Sequence, residues 1–258
     1  MSRVMDPVKS GDLPVLSACR TDSPLVVEGT DNLQVEGESL FERFPWLYTV
    51  CREHLFRDDT ERIVHAFWGA GSPSRGAHVL ELGCGPGFYA CRLAARFAHL
   101  RITGVDRSAR QLQRARGQAA ARRLANCRFT LGDGRALACP AATFDAAISA
   151  RLFTILRERE RASTLAELHR VLRPGGRLFI AEPRSARRAG APLRAMWLLA
   201  RLTDPQSAGR HGRYREPARV AVFTGDEFEE LLASQPWARV RYWHDTRYHY
   251  ALCDKRVA

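Results

Sequence analysis

The sequence predicts an α/β fold built on a doubly wound, mostly parallel sheet, and three observations predict it. Short apolar runs of strand type alternate with amphipathic helical stretches from Ala77 to Pro183. A turn with three glycines in alternation joins the first strand to the first helix of that series. Acidic residues recur near the ends of successive strands. Alternation at this spacing implies parallel strands with right-handed crossovers. Beyond Pro183 the alternation stops, and a helical lid followed by an antiparallel C-terminal hairpin is expected.

The first strand is His78–Leu82, which runs into Gly83-Cys-Gly-Pro-Gly87, and a helix follows from about Phe88. Glycines allow backbone angles that a side chain forbids and let a ligand approach the main chain. The helix start offers backbone N–H groups to ligand oxygen. A dinucleotide fingerprint would need a glycine at position 88, which is Phe88. Glu81 beside the turn would repel a pyrophosphate, so a cationic or hydroxyl-rich ligand is expected instead.

The second strand is Arg101–Asp106, ending in an acid, and Ser108 is placed to cap a helix to about Leu124. Cys127–Asp133 reads as the third strand and Thr143–Ser149 as the fourth. A helix from about Glu158 to Leu172 stops at Arg173-Pro-Gly-Gly176, and Arg177–Glu182 is the fifth strand. Glu81, Asp106, Asp133, Ser149 and Glu182 thus fall at or near carboxyl ends of strands. Ligands of open parallel sheets bind beyond those ends, near the switch in strand order.

Outside this block the reading is coarser. Residues 1–36 mix Pro, Gly, Asp, Ser and Val without a period and read as a flexible arm. A helical pattern from Leu40 to Trp68 places N-terminal helices over residues 37–76, broken at Gly69–Pro73. The insertion at 184–223 holds a helix from Pro192 to Leu202 with Met196, Trp197, Leu198 and Leu199 on a broad apolar face, then a polar loop. Thr224 or Asp226 can cap a helix through Leu232. Trp237–Trp243 and Thr246–Cys253 look like two strands joined at His244-Asp245.

Composition limits the partners. The net charge is +12, and apart from Lys9 and Lys255 the basic residues are arginines spread through the chain. A compositional bias explains such a spread more simply than a nucleic-acid surface does. Seven cysteines without Cys-x-x-Cys spacing fit reduced thiols rather than a disulfide frame, and no metal site is expected. With no run of 18 apolar residues and no apolar segment at Met1-Ser2-Arg3, a cytoplasmic protein is the expectation.

The order Glu81-x-Gly83-x-Gly85-x-Gly87, Asp106, then Gly132-Asp133-Gly134, with Leu172-Arg-Pro-Gly-Gly176 before the fifth strand, resembles class I S-adenosylmethionine (SAM)-dependent methyltransferases over about Ala77 to Pro183. It is most similar to their small-molecule branch around quinone and sterol methylation. The resemblance implies the Rossmann-like methyltransferase fold, with residues 77–258 as the SAM-binding domain and the helices of 37–76 closing over the cofactor. It implies that Gly83, Gly85 and Gly87 line the methionine moiety together with Glu81. Asp106 would bind the ribose hydroxyls, with Arg107 beside it. Asp133 would accept from the adenine amino group near the Gly134 amide, and Ser149 would meet both SAM and acceptor. Tyr48 is the aromatic residue placed over the cofactor.

Methyl transfer from SAM needs in-line alignment and exclusion of water more than protein chemistry. A general base helps a hydroxyl acceptor, and Arg151, His211 and Tyr214 are the catalytic candidates, with Tyr248 and His249 behind them. Ser149-Ala-Arg-Leu152 lacks the Asn/Asp-Pro-Pro-Tyr/Phe segment of nucleobase amino-methylating enzymes. No Pro-Cys nucleophile stands there either. The expected function is methyl transfer to O or N of a small organic acceptor. An RNA or protein methyltransferase and a non-catalytic SAM-binding regulator are the rival readings.

Overall fold

The structure is a computed structural model, and it describes residues 57–185 and 222–257, with Arg194 and Leu198 between them. The 1–36 arm, Tyr48, His211 and Tyr214 lie outside the described residues, as do nearly all of the 184–223 insertion and the expected helices before Arg57. Arg194 and Leu198 are both helical and exposed, inside the stretch expected to form the lid helix.

Seven strands form one sheet: β1 (His78–Leu82), β2 (Arg101–Asp106), β3 (Cys127–Leu131), β4 (Phe144–Ala150), β5 (Leu172–Pro183), β6 (Trp237–His244) and β7 (Tyr248–Lys255). Their order is β3-β2-β1-β4-β5-β7-β6. The pairs among β1 to β5 are parallel, and β7 pairs antiparallel with both β5 and β6. The chain leaves β1 for β2 on one side and returns to β4 on the other, so the switch point lies between β1 and β4.

Five described helices cover the sheet: α1 (Thr60–Trp68), α2 (Phe88–Arg96), α3 (Ala109–Ala121), α4 (Glu158–Val171) and α5 (Gly225–Ala233). Two buried clusters result. One joins α1, α2 and α3 to one face through Ile63, Phe88, Leu93, Leu112, Phe129 and Phe179. The other joins α4 and α5 to the opposite face through Leu80, Phe144, Leu165, Leu168, Ile180 and Phe228. A fully buried Leu, Ile or Phe contributes about 1.5–3 kcal/mol, so each face is held by many small increments.

Local chemistry sets the boundaries. Ser108 Oγ accepts from Gln111 N, and α3 ends at Ala121, just before Arg123 turns left-handed at φ 55°. Asn126 then donates to the carbonyls of Ala94, Phe97 and Leu100, tying the approach to β3 to the end of α2. Thr224 rather than Asp226 caps α5, in a reciprocal pair with Glu227. The Asp245 carboxylate accepts from Arg247 N and Tyr248 N and closes the β6–β7 hairpin.

Two expectations change. The helical pattern expected from Leu40 to Trp68 is interrupted at Arg57–Asp59, because the Asp58 carboxylate takes the Thr60 N–H and hydroxyl and starts α1 afresh. The stop at Arg173–Gly176 is a bulge inside β5: Leu172 pairs with Phe144 and Arg177 with Ala146, with Gly175 at φ 74° between them. Among the described residues Cys84, Cys91, Cys127 and Cys253 are free thiols.

Candidate functional site

The parallel alignment of β1 to β5 brings the acidic strand ends to one edge of the sheet. Glu81 is the fourth residue of β1, Asp106 the last of β2, Ser149 the sixth of β4 and Glu182 the eleventh of β5. Asp133 follows β3 by two residues and forms a small bridge with Ala136.

The glycine turn is pinned from below. Gly83 N and Cys84 N both donate to Val105 O, Gly85 N donates to the Asp106 carboxylate at 2.8 Å, and Gly87 N donates to Cys84 O. All three glycines have positive φ: 71°, 52° and 77°. They do different work. A Cβ on Gly83 would meet the Leu152 side chain at 3.1 Å, so the loop after β4 rests against the turn. A Cβ on Gly87 would lie 2.7 Å from the Phe129 ring, and one on Gly104 would lie 2.6 Å from it. The third glycine therefore admits an aromatic side chain of β3 and is itself buried, while Gly83 and Gly85 keep partial exposure.

The acids also differ. Glu81 is buried and accepts from Ala90 N at 2.7 Å, which satisfies one of the donors left at the start of α2. Asp106 is partly exposed; its second oxygen accepts from Ser108 N at 2.9 Å. Burial raises the Asp106 carboxyl above its ordinary value, opposed by the Ser108 and Gly85 N–H groups and the Arg107 charge. Arg107 also acts on Asp133. The Asp133 carboxylate is taken by Arg135, whose guanidinium reaches both its oxygens and Glu160 as well. That pairing holds Asp133 below the usual carboxylate range.

Ser149 lies next to the last residue of β4, near the carboxyl end of the strand. It is wholly buried, and its hydroxyl has no partner among the described residues. Arg151, the next residue but one, is half-buried with φ 57°, and its charge acts on the buried Asp59. His249 is buried, with Nε2 on Phe223 O at 2.9 Å and Nδ1 on the Tyr242 hydroxyl at 2.7 Å. This anchors the chain where it returns from the insertion, and burial lowers the His249 pKa. Tyr248 is buried against the α1 side of the sheet.

Sequence reasoning did not single out two residues exposed at this edge. Leu131, the last residue of β3 and the register partner of Asp106, is 53% exposed. Ile155, in the loop after β4, is 64% exposed. An apolar side chain that a strand leaves uncovered beside an acid is a signal only once the register is known. Among the described residues there is no cluster that could hold a metal ion, and no helix is long and apolar enough to cross a membrane.

Comparison with known proteins agrees with this geometry. Residues 79–176 match a family of methyltransferase domains. The chain is 32% identical to a trans-aconitate 2-methyltransferase of Methylobacterium radiotolerans over 68% of this chain and 63% of that protein. It is 39% identical to a demethylmenaquinone methyltransferase of Deinococcus radiodurans over 44% of each chain. It thus spans less than two thirds of the length of these relatives. A SAM-dependent methyltransferase from Aquifex aeolicus shares the fold with a TM-score of 0.56 at 19% identity, covering 81% of this chain and 97% of that one. Residues 79–176 are thus similar to a methyltransferase domain, and the described fold is one found in SAM-dependent methyltransferases of known structure.

Proposed function

We propose that the protein transfers the methyl group of SAM to an oxygen or nitrogen of a small organic acceptor. The observation that carries the reading is the Asp106 carboxylate, partly exposed and bonded to Gly85 N, at the rim of a turn whose three glycines all have positive φ. Two features fit the cofactor. The turn keeps Gly83 and Gly85 free of Cβ atoms where a ligand would meet the main chain. The Asp106 oxygens accept from Gly85 N and Ser108 N and keep lone-pair capacity for a ribose hydroxyl.

In this reading Gly83, Gly85 and Gly87 with Glu81 frame the methionine end, and Glu81 does so by fixing the start of α2. Asp106 accepts from the ribose, and Arg107 balances the charge of Asp106 and Asp133. Leu131 supplies an apolar wall for the adenine, and Gly134 and Asp133 lie beyond it. Asp133 must share its oxygens with Arg135. Ser149, buried with its hydroxyl unpartnered among the described residues, is assigned to the place where SAM and acceptor meet.

SAM supplies a methyl group already activated on a sulfonium. What remains for the chain is to orient the acceptor and exclude water. Arg151, Leu152 and Ile155 border the acceptor side. We assign residues 37–76 and the 184–223 insertion to the cover over the site, within a methyltransferase domain of 77–258; Tyr48, His211 and Tyr214 would act from those covers. Relatives that methylate trans-aconitate and demethylmenaquinone support a small organic acceptor. Calorimetry with SAM and S-adenosylhomocysteine tests the reading: both should bind, and binding of neither would end it.

A further inference from the structure

The loop after β4 is held from an unexpected side. Arg151 leaves the strand in the left-handed region, and its N–H donates to Ala181 O of β5. The next three N–H groups all turn inward to one carboxylate. Leu152 N and Phe153 N donate to Glu182 Oε1 at 2.9 and 3.0 Å, and Thr154 N donates to Oε2 at 3.2 Å. The Thr154 hydroxyl adds a fourth donor. Glu182 is wholly buried near the carboxyl end of β5. Three successive backbone donors converging on one anion form a preorganised nest of the kind that binds anions elsewhere in proteins; here the anion belongs to the chain itself.

The loop so held carries Leu152, which rests on Gly83 of the glycine turn, and Ile155, which is exposed at the sheet edge. We propose that Glu182 is a positioning residue of the methyl-transfer site, its carboxylate gathering the Leu152, Phe153 and Thr154 N–H groups so that the loop after β4 keeps a fixed wall between cofactor turn and acceptor. The role rests on the cofactor reading above.

The same geometry makes the wall sensitive to protonation. Protonating Glu182 turns three charge-assisted N–H bonds into weaker neutral ones and makes the Thr154 hydroxyl turn from donor to acceptor, so the hold on the loop weakens. Burial raises its pKa to about 7, with the three N–H groups and the Thr154 hydroxyl opposing. His249 is its register partner on β7, held by Tyr242 of β6 and by Phe223 O. Arg161 of α4 donates to Phe153 O and lies over the Phe223 ring. The His249 pKa is lowered by burial.

Amide hydrogen exchange on the full chain tests this, corrected for the intrinsic pH dependence and read against Leu178 and Ile180 of β5. Protection at Leu152, Phe153 and Thr154 should fall about tenfold from pH 8 to pH 6 while the β5 amides hold. Glu182→Gln should give low protection at these three amides at both pH values. S-adenosylhomocysteine should bind both proteins. Protection that does not change with pH in the unsubstituted chain would overturn the role, and that measurement stands even if the variant fails to fold. Wild-type-like protection in a folded Glu182→Gln would also overturn it. Failure of the unsubstituted protein to bind S-adenosylhomocysteine, with the pH response intact, would instead remove the site the loop is said to serve.

Discussion

The Asp106 carboxylate accepts the Gly85 N–H at 2.8 Å, so the acid that ends β2 is already bonded to the turn that follows β1. Val105 O holds Gly83 and Cys84 from the same strand end. The glycine turn and the β2 acid therefore form one rigid unit before any ligand is considered.

This coupling makes Asp106 the most informative substitution for cofactor binding. A hydrogen bond to a charged group is worth about 1.5–3 kcal/mol. Asp106→Ala should therefore weaken SAM and S-adenosylhomocysteine binding by about 10- to 100-fold. Calorimetry reads the effect directly, and unchanged affinity would remove Asp106 from the ribose. Thermal unfolding of the same variant should also drop, because Gly85 and Ser108 lose their acceptor.

Phe129 explains two glycines that function alone would not. Gly104→Ala and Gly87→Ala each drive a methyl into the Phe129 ring, and overpacking costs about 1–3 kcal/mol. Only Gly87 has positive φ, at 77°, which adds about 1 kcal/mol or more for a side chain there. Adding Phe129→Leu should relieve most of the Gly104→Ala loss and only part of the Gly87→Ala loss. Urea unfolding of the two double-mutant cycles decides it; equal relief would mean backbone strain is not at work at Gly87.

The parts of this molecule that were legible in the sequence depend on period and spacing. Strand ends follow from apolar runs and their breakers, which is why Asp106 and Glu182 were found at the same edge. The parts that were not legible depend on who meets whom across the sheet. Nothing near Asp133 in spacing says that Arg135 will fold back onto it rather than face solvent. Spacing puts Ser149 at a strand end but does not say that its hydroxyl is wholly buried without a partner among the described residues. The break before α1 comes from one side chain, Asp58, outcompeting a helical pattern for the Thr60 N–H.

Arg135 gives a test of that hidden pairing. With its partner present the Asp133 pKa is depressed, so the pair stabilises the fold above the ordinary carboxyl pKa and is lost as pH falls through the lowered value. Both side chains are about a third exposed, so the contribution is that of a surface pair, at most about 1 kcal/mol. Arg135→Ala should leave the fold nearly unchanged at pH 7. It should raise affinity for S-adenosylhomocysteine several-fold if Asp133 meets the adenine, since its oxygens are released. An affinity that is unchanged or lower would separate Asp133 from the adenine.

Glu182 gives the opposite sign of pH dependence. Its pKa in the fold is about 7 against an ordinary 4.5, so between these values the folded chain keeps a proton that the unfolded chain has released. Stability from this group is therefore fully present below about pH 4.5 and is lost as pH rises through 7, and the displacement corresponds to roughly 3 kcal/mol. Buried histidines work against it over part of the same range. His78 is pushed down to about 4 by burial, and His249 is lowered too, so the fold loses stability as the unfolded histidines take up protons below about 6.5. The raw profile of the protein mixes these effects, but a difference does not. Glu182→Gln carries no titrating group and keeps both histidines. Urea unfolding at pH 5.5 and pH 8 should show the variant gaining stability relative to the unsubstituted protein as pH rises, by roughly 1–3 kcal/mol across that span. A parallel pair of profiles would mean that Glu182 stays ionised throughout and that the four donors of the loop outweigh the cost of its burial.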